Sequence, residues 1–468
     1  MDEPPAPGAG FDIAVIGAGV VGCAVFREFV LAGARTVLLE AAADILEGAS
    51  KANSAILHTG FDAEPGSLEA ACIGAGNRRY RELHHRLGLP LEPCGALVLA
   101  WSEAERERLE AIRARAEANG VGGVALLSAE AVRAREPALA AEVQGAAWVA
   151  GEAIIDPWQA PLAYALQGLA NGGALWRDAE VAGGRREGGG WRLETAAGPV
   201  AARVVVNCAG LRGDLVEAIA RPSPFSIRPR RGEFLVFDKR AARLARAILL
   251  PIPTARTKGV VLTRTVFGNL LVGPTAEEQP ERDFAPTTAT GMAALLAAGR
   301  RVLPALAGEE ITAAYAGLRP ASEHKDYVLE ALPAAGWITV GGIRSTGLSA
   351  ALGIAEHVRG LHEAHFGGFR ALPEPVWPAV PLLAEGAPRP WQSAAAGEIV
   401  CHCEGVTAGE IRAACAGPMA AGTLGGLKRR TRAMMGRCQG FYCTRRVLEL
   451  AASRLPGLAE PLARRGAA

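Results

Sequence analysis

The stretch that most restricts the fold lies near the front, where residues 11–40 read FDIAVIGAGVVGCAVFREFVLAGARTVLLE. An apolar strand over residues 13–16 runs into glycines at 17, 19 and 22, a helix follows, and a second apolar strand over residues 36–39 ends at Glu40. Two parallel strands joined by a helix bury both faces of their sheet, which commits the chain to an α/β architecture. Gly17 permits the tight turn, Gly19 lets the backbone approach a pyrophosphate, and Gly22 lets helix and strand pack closely. The start of the helix offers unpaired N–H groups to the phosphates, and Glu40 is placed to accept from a ribose hydroxyl. A glycine triplet alone is a weak signal in a chain with 57 glycines. The second strand and its terminal acid, both in register, turn it into a dinucleotide site.

The next segment, EGASKANSAILHTGFDAEPGSLEA, favours FAD over NAD. Ser50, Lys51, Asn53 and Ser54 form a polar run of mostly small residues suited to hydrogen-bonding a long extended cofactor, although a plain surface loop is the simpler alternative. Two later segments repeat the pattern of strand and close turn. ARVVVNCAGLRGD ends its strand at Ala209 and Gly210, and GWITVGGIRSTGLSAALGIAEHV passes through Gly342 and Gly347 into a helix beginning near Leu348 and Ser349. That helix start is expected to aim its amides at the same cofactor; ordinary sheet turns are the alternative for both.

At 468 residues, 50% apolar and 21% charged, the chain has enough material for two or three folded domains. A net charge of +2 gives no general pull toward nucleic acid, so no nucleic-acid partner is expected. Residues 1–9 are acidic and proline-rich and read as a disordered leader, not a secretory signal. The longest uncharged run, residues 157–176, carries Gln159, Pro161, Gln167 and Asn171, which suits a buried helix and turn better than a bilayer span. A cytoplasmic setting is expected, with any membrane association peripheral and made through partners.

Between the cofactor segments, FSIRPRRGEFLVFDK, TKGVVLTRTVFGNLLVGPTAEE and ITAAYAGLRPAS read as an antiparallel sheet with a hairpin at Phe267-Gly268-Asn269. This region is the expected substrate domain. His58 is a candidate for taking the hydroxyl proton, since imidazole is the side chain suited to proton transfer near neutrality, the plainer alternative being a histidine satisfied by backbone. Arg344, in the turn beside the expected flavin, is a candidate cation for an anion or for the charge of the reduced cofactor. Lys258, at a strand start, is a further candidate against the common reading of an exposed edge lysine.

The tail changes character after residue 366. A proline- and alanine-rich linker is expected over residues 366–396, followed by a compact module with cysteines at 401, 403, 438 and 443. Thr407 and Glu410 have the spacing of a capping box. Four thiolates suit an iron–sulfur cluster or a structural zinc, and gaps of one and four residues within the pairs favour iron. The run Lys428, Arg429, Arg430 and Arg432 reads as a solvated face, with the added reason that cations raise the potential of an anionic cluster. Cys23, Cys72, Cys94, Cys208 and Cys415 read as small buried residues.

On the front motif, SKANSAILHTGFDAEPGSLEA, VVNCAGLRGD, YAGLRPAS and GGIRSTGLSAA, nearly the whole chain resembles the FAD-dependent D-amino-acid oxidase and glycerol-3-phosphate dehydrogenase superfamily. The likeness is closest to the anaerobic-type glycerol-3-phosphate dehydrogenase large subunits; NSAILHTG and PGSLEA also resemble L-2-hydroxyglutarate oxidases and dehydrogenases. CHCEGVT with LKRRTRAMMGRCQGFYC resembles the bacterioferritin-associated-ferredoxin-like 2Fe-2S domain. The resemblance implies an α/β FAD-binding Rossmann-like domain over residues 10–80, 150–225 and 325–365, with an inserted α+β antiparallel-sheet substrate domain over 81–149 and 226–324. A small helical C-terminal 2Fe-2S module over 397–456 and a tail over 457–468 complete it.

It further implies Cys401, Cys403, Cys438 and Cys443 as cluster ligands, Arg319 on the anionic end of a small anionic substrate, and Val181 among the FAD contacts. The expected activity is dehydrogenation, most simply of glycerol 3-phosphate, with electrons relayed through the cluster to an electron-accepting subunit or quinone-linked partner. An L-2-hydroxyacid or amino-acid dehydrogenase or oxidase, an oxidase with a zinc tail, and a non-catalytic flavin and iron–sulfur subunit remain as alternatives.

Overall fold

In the computed structural model of the chain, residues 10–253, 259–393 and 397–455 are described. The expected leader, Lys258 and the tail over residues 457–468 lie outside the described residues.

Phe11–Ile16 pairs in parallel with Thr36–Leu39 on one side and with Gly198–Asn207 on the other. Ala174–Trp176 extends the sheet beyond Thr36–Leu39, and Trp337–Gly341 adds in parallel to Gly198–Asn207. Val181–Glu187, Gly190–Thr195 and Val328–Leu332 complete eight strands. Ile13, Ala14 and Val15 are all inaccessible to solvent, as expected of a strand covered on both faces. The helices Val20–Leu31, Leu68–Leu83, Gln159–Ala170 and Gly347–Phe366 pack together in the largest core cluster. Leu68–Leu83 and Gly347–Phe366 touch backbone to backbone: a side chain at Gly76 would strike the Ser349 carbonyl, and one at Gly353 that of Cys72.

A second, nine-stranded sheet is built from Ala96–Ala100, Val124–Ser128 and Gly145–Val149 together with strands between Arg228 and Ala321. Its pairings are antiparallel except where Ile248–Pro251 runs beside Ala96–Ala100. The hairpin expected at Phe267-Gly268-Asn269 joins Val261–Arg264 to Leu270–Gly273. A small sheet of Ile56–Leu57, Leu91–Glu92 and Ala153–Ile155 brings residue 58 close to residue 152.

The C-terminal module has its own core around Val406, Ile411, Leu427 and Val447. Its first helix is capped as expected: Thr407 N–H donates to Glu410 Oε2 at 2.8 Å, and Glu410 N–H donates to Thr407 Oγ1 at 3.2 Å.

Two tail features differ from expectation. The stretch read as a linker runs over residues 367–393 as an anchored strap. Leu372 N–H donates to Leu31 O, Val376 N–H to Asn171 Oδ1, Val380 N–H to Leu87 O and Glu385 N–H to Val266 O. Trp377 lies under the Arg86 guanidinium at 3.6 Å, and Val380 and Leu383 are buried. The basic run is not a solvated face: Arg429, Arg430 and Arg432 are buried, and Lys428 is half-buried. Arg430 makes a two-pronged bond to fully buried Asp44 at 2.7 and 2.8 Å, and Arg429 meets Glu47 at 2.6 Å. These arginines seat the module on the loop that follows Thr36–Leu39.

Candidate functional site

A cavity of about 890 Å³ opens between the two large sheets. Its floor is the glycine turn. Gly17 has φ +99°, and a Cβ there would lie 2.6 Å from the Cys208 carbonyl oxygen; a Cβ on Gly22 would run into the carbonyl of Gly17. Gly19 also lines the cavity, and Ser50 Oγ accepts from Val20 N–H at 3.0 Å, closing over the start of Val20–Leu31.

Glu40 turns onto its own loop. Its oxygens accept from Ala18 N–H at 2.8 Å and Ala42 N–H at 3.0 Å, while burial pushes its carboxyl above the ordinary range against the pull of those amides. Asn53 likewise bonds local backbone, accepting from Ala55 N–H at 2.7 Å. Lys51, Ser54, Val181, Ala209, Gly210, Gly347 and Leu348 line the cavity.

Gly342 and Ser349, expected as cofactor contacts, do not line the cavity. Gly342 turns at φ +68° with its Cα side toward Ser322. Ser349 is buried; its Oγ accepts from His58 N–H at 2.8 Å and donates to Ile56 O at 3.1 Å, so it fixes the segment bearing His58.

His58 lines the cavity, and its Nδ1 lies 2.8 Å from Glu152 Oε2. Glu152 is fully buried, with Oε1 accepting from Thr59 N–H at 2.6 Å and Thr59 Oγ1 at 2.8 Å. A carboxylate opposite Nδ1 keeps the proton there and leaves Nε2 as the acceptor. Glu152 is absent from the residues singled out in the sequence: it stands 94 positions from His58, and nothing local marks it.

Arg319 lines the cavity with its head group donating to Thr275 O at 2.9 Å. Among the described residues no carboxylate pairs with it. Burial, and then the neighbouring Arg230, bring its pKa down to about 10. Arg230 also lines the cavity and holds Glu278 at 3.0 Å. Arg344 is more fully engaged, donating to Lys325 O with Glu69 at 3.6 Å.

In the C-terminal module, Cys403 stands beside Cys438 and Cys401 beside Cys443. N–H groups of Tyr442 and Gly440 are turned onto the Cys438 sulfur and hold its pKa below the ordinary value, while Phe441 N–H donates to the Cys438 carbonyl oxygen at 3.0 Å. The loop takes left-handed backbone at Arg432, Met434, Gln439 and Gly440 to wrap around the sulfurs. A Cβ on Gly436 would collide with that of Cys403. Among the described residues no three His, Cys, Asp or Glu side chains close into the shell of a single metal ion. Four thiols in two pairs, with amides aimed at sulfur, instead suit a centre of two irons bridged by sulfide.

The two sites meet at a seam. Trp158 donates from its indole N–H to Lys51 O at 3.0 Å and stacks on Phe267, with centroids 5.5 Å apart and planes at 13°. The Arg432 guanidinium lies over the other part of this pair, 3.9 Å from the Phe267 centroid, and donates to Glu404 at 2.8 Å.

Residues 12–361 match the family described as FAD dependent oxidoreductase (DAO), and residues 399–453 match the BFD-like [2Fe-2S] binding domain. The chain belongs to the DAO family of FAD-dependent oxidoreductases. Its cofactors are FAD and a 2Fe-2S cluster. This DAO-family chain is 34% identical over 456 residues to a glycerol 3-phosphate dehydrogenase of Caloramator mitchellensis, covering 95% of this chain and 94% of the relative. It is 32% identical over 286 residues to an L-2-hydroxyglutarate dehydrogenase of Escherichia coli O17:K52:H18, covering 58% of this chain and 67% of that one. The FAD-bound L-alpha-glycerophosphate oxidase of Mycoplasma pneumoniae superposes with a TM-score of 0.74 at 25% identity, covering 80% of this chain and 99% of that one. The expected architecture, the oxidoreductase class acting on a CH–OH group, and both cofactors are thereby established for this DAO-family protein.

Proposed function

We propose that the protein is a dehydrogenase that oxidises glycerol 3-phosphate to dihydroxyacetone phosphate and sends the electrons out through its C-terminal cluster. The observation that carries this reading is Arg319. A half-buried guanidinium facing the cofactor cavity, with no carboxylate partner among the described residues, lacks the compensation that a desolvated charge needs, and an anionic substrate supplies it. Arg230 beside it gives a second cation, which matches a phosphate better than a single carboxylate. A carboxylate substrate is the second reading, because Glu278 already engages Arg230.

The residues then divide the work. Gly17, Gly19, Ser50 and the start of Val20–Leu31 would hold FAD along its pyrophosphate, with Val181, Ala209 and Leu348 against its other parts. FAD, when bound, supplies the acceptor for the hydride. Arg319 and Arg230 orient the phosphate. His58 takes the hydroxyl proton at Nε2 as the carbonyl forms, and Glu152 holds the ring and stabilises the imidazolium. Cys401, Cys403, Cys438 and Cys443 would bind the cluster, which carries electrons onward singly.

The lengths of the relatives support a dehydrogenase over an oxidase. The protein called a glycerophosphate oxidase is accounted for to 99% by 80% of this chain, whereas the one called a dehydrogenase is matched nearly end to end. The electrons leave to a separate protein or a quinone-linked partner. Among the described residues no helix is long and apolar enough to cross a membrane.

Anaerobic mixing of the FAD- and cluster-loaded protein with glycerol 3-phosphate, L-2-hydroxyglutarate and L-proline tests the reading. Flavin bleaching by glycerol 3-phosphate alone is expected, with Arg319→Met raising the half-saturating concentration more than tenfold. No bleaching by glycerol 3-phosphate, or stronger bleaching by L-2-hydroxyglutarate, would overturn the substrate.

A further inference from the structure

Two side chains between the cysteines are exposed far beyond what folding of the module requires. Phe441 and Tyr442 are 83% and 79% accessible, the two most exposed large hydrophobic side chains among the described residues. They stand edge to face with centroids 5.2 Å apart. Scattered exposed apolar residues are ordinary, whereas adjoining exposed aromatics mark surface that a partner covers. The backbone ties both residues to the cysteine loop: Phe441 N–H donates to the Cys438 carbonyl oxygen at 3.0 Å, and Tyr442 N–H is turned onto the Cys438 sulfur.

The same face carries the accessible edge of the cysteine set. Cys403 is exposed and Cys438 half-buried, while Cys401 and Cys443 belong to the module core. Residues 435–446 hold Arg437, Arg445 and Arg446 and no carboxylate. Arg437 and Arg445 are 62% and 87% exposed, and their carboxylate partners, Glu310 and Glu449, make surface pairs that a docking protein's acids can replace.

Resting on the dehydrogenase reading above, we propose that Phe441 and Tyr442 form the docking surface for a one-electron carrier protein whose apolar contact face is rimmed by carboxylates. Each oxidised substrate molecule supplies two electrons and two protons. Two successive transfers across the Cys403–Cys438 edge reduce two carrier molecules by one electron each, and the protons leave to water. The aromatic pair supplies the contact area and Arg437 and Arg445 supply the orientation.

The test compares the full-length, cofactor-loaded wild type with Phe441→Ser/Tyr442→Ser, a change that keeps both backbone N–H groups. Cytochrome b5, an acidic carrier, and horse cytochrome c, a basic one, serve as probes. Flavin and iron content, melting temperature, substrate-driven flavin bleaching and ferricyanide reduction are expected to match wild type. Wild type is expected to reduce cytochrome b5 at least tenfold faster than cytochrome c at low salt, with the preference fading as salt rises. The double variant is expected to lose at least tenfold of the cytochrome b5 rate and of its binding to immobilised protein, and Arg445→Glu to lose part of both.

Unchanged cytochrome b5 kinetics in the double variant, a preference for cytochrome c, or no reduction of cytochrome b5 by wild type would each overturn the proposal. So would a dimer that the double substitution dissolves, since the aromatic pair would then face a second copy. Reducing the protein with dithionite in a parallel arm separates this result from failure of the substrate assignment, which shows as flavin left unbleached by glycerol 3-phosphate.

Discussion

His58 Nδ1 and Glu152 Oε2 are 2.8 Å apart, and solvent reaches none of the Glu152 side chain. A histidine held this way has one tautomer and one ring orientation, which is the preparation that proton abstraction needs. His58→Ala is expected to slow substrate-driven flavin bleaching about 100-fold or more, and Glu152→Gln about tenfold to 100-fold. FAD affinity is expected to stay near wild type in both. Stopped-flow mixing across a pH series checks this: equal bleaching rates and pH profiles in Glu152→Gln and wild type would remove the pair from the chemistry.

The Asp44–Arg430 pair is buried and bonded at both prongs. Removing one partner leaves the other as a buried uncompensated charge, at a cost of about 3–5 kcal/mol. Asp44→Ala and Arg430→Ala are each expected to destabilise the seating of the module by that amount, and the double variant by much less than their sum. Denaturant unfolding followed separately by flavin fluorescence and cluster absorbance gives the coupling; additive effects would show that the pair does not act as a clamp.

Asp156 supplies a pH signature. It is completely buried, its Oδ1 accepts from Trp158 and Gln159 N–H groups at 2.9 Å, and its Oδ2 has no hydrogen-bond partner among the described residues. Burial pushes its pKa up to about 6. Since an unfolded aspartate titrates near pH 4, the folded chain binds the extra proton between about pH 4 and 6, and stability falls as pH rises through that window. Above it the penalty is constant and on the order of 3 kcal/mol. Asp156→Asn is expected to flatten this part of the stability curve and to stabilise the protein at neutral pH, as read from chemical denaturation at pH 4.5 and 7.5. A variant curve parallel to wild type would contradict the assignment.

Gly22 leaves no room for a side chain, since a Cβ there would overlap the Gly17 carbonyl. Gly22→Ala is expected to purify with at least tenfold less FAD per chain, because the helix start must shift away from the turn. Flavin released on denaturation measures it; full FAD content would mean that the turn relaxes without loss.

Legibility in the sequence followed the range of the forces. The glycine turn at 17, 19 and 22 and the Thr407–Glu410 cap are written in spacings of a few residues, and such local rules survive without knowledge of the rest of the chain. Glu40 and Asn53 were legible as positions on the cavity wall, while their bonds to their own loop backbone, which polar side chains of loops readily make, were not. The burial of Arg429 and Arg430 was hidden because their carboxylates lie more than 380 residues away, and a helix face rich in arginine reads by default as wet. The strap over residues 367–393 shows no period because its backbone N–H groups bond to four separate stretches of the chain, at Leu31, Asn171, Leu87 and Val266, each imposing its own direction. Glu152 was missed, and Ser349 was read as a cofactor contact, for the same reason: their meaning is the position they give His58, which only the folded chain brings near.

The strap and the buried arginines have a kinetic consequence. Anchored along residues 367–393 and clamped at its base by Arg429 and Arg430, the cluster module is seated as a fixed part of the protein and not as a swinging arm. In the relay proposed above, the internal hand-over would cross one fixed gap, insensitive to solvent viscosity, and diffusion would enter at the step in which a carrier protein comes to collect the electron.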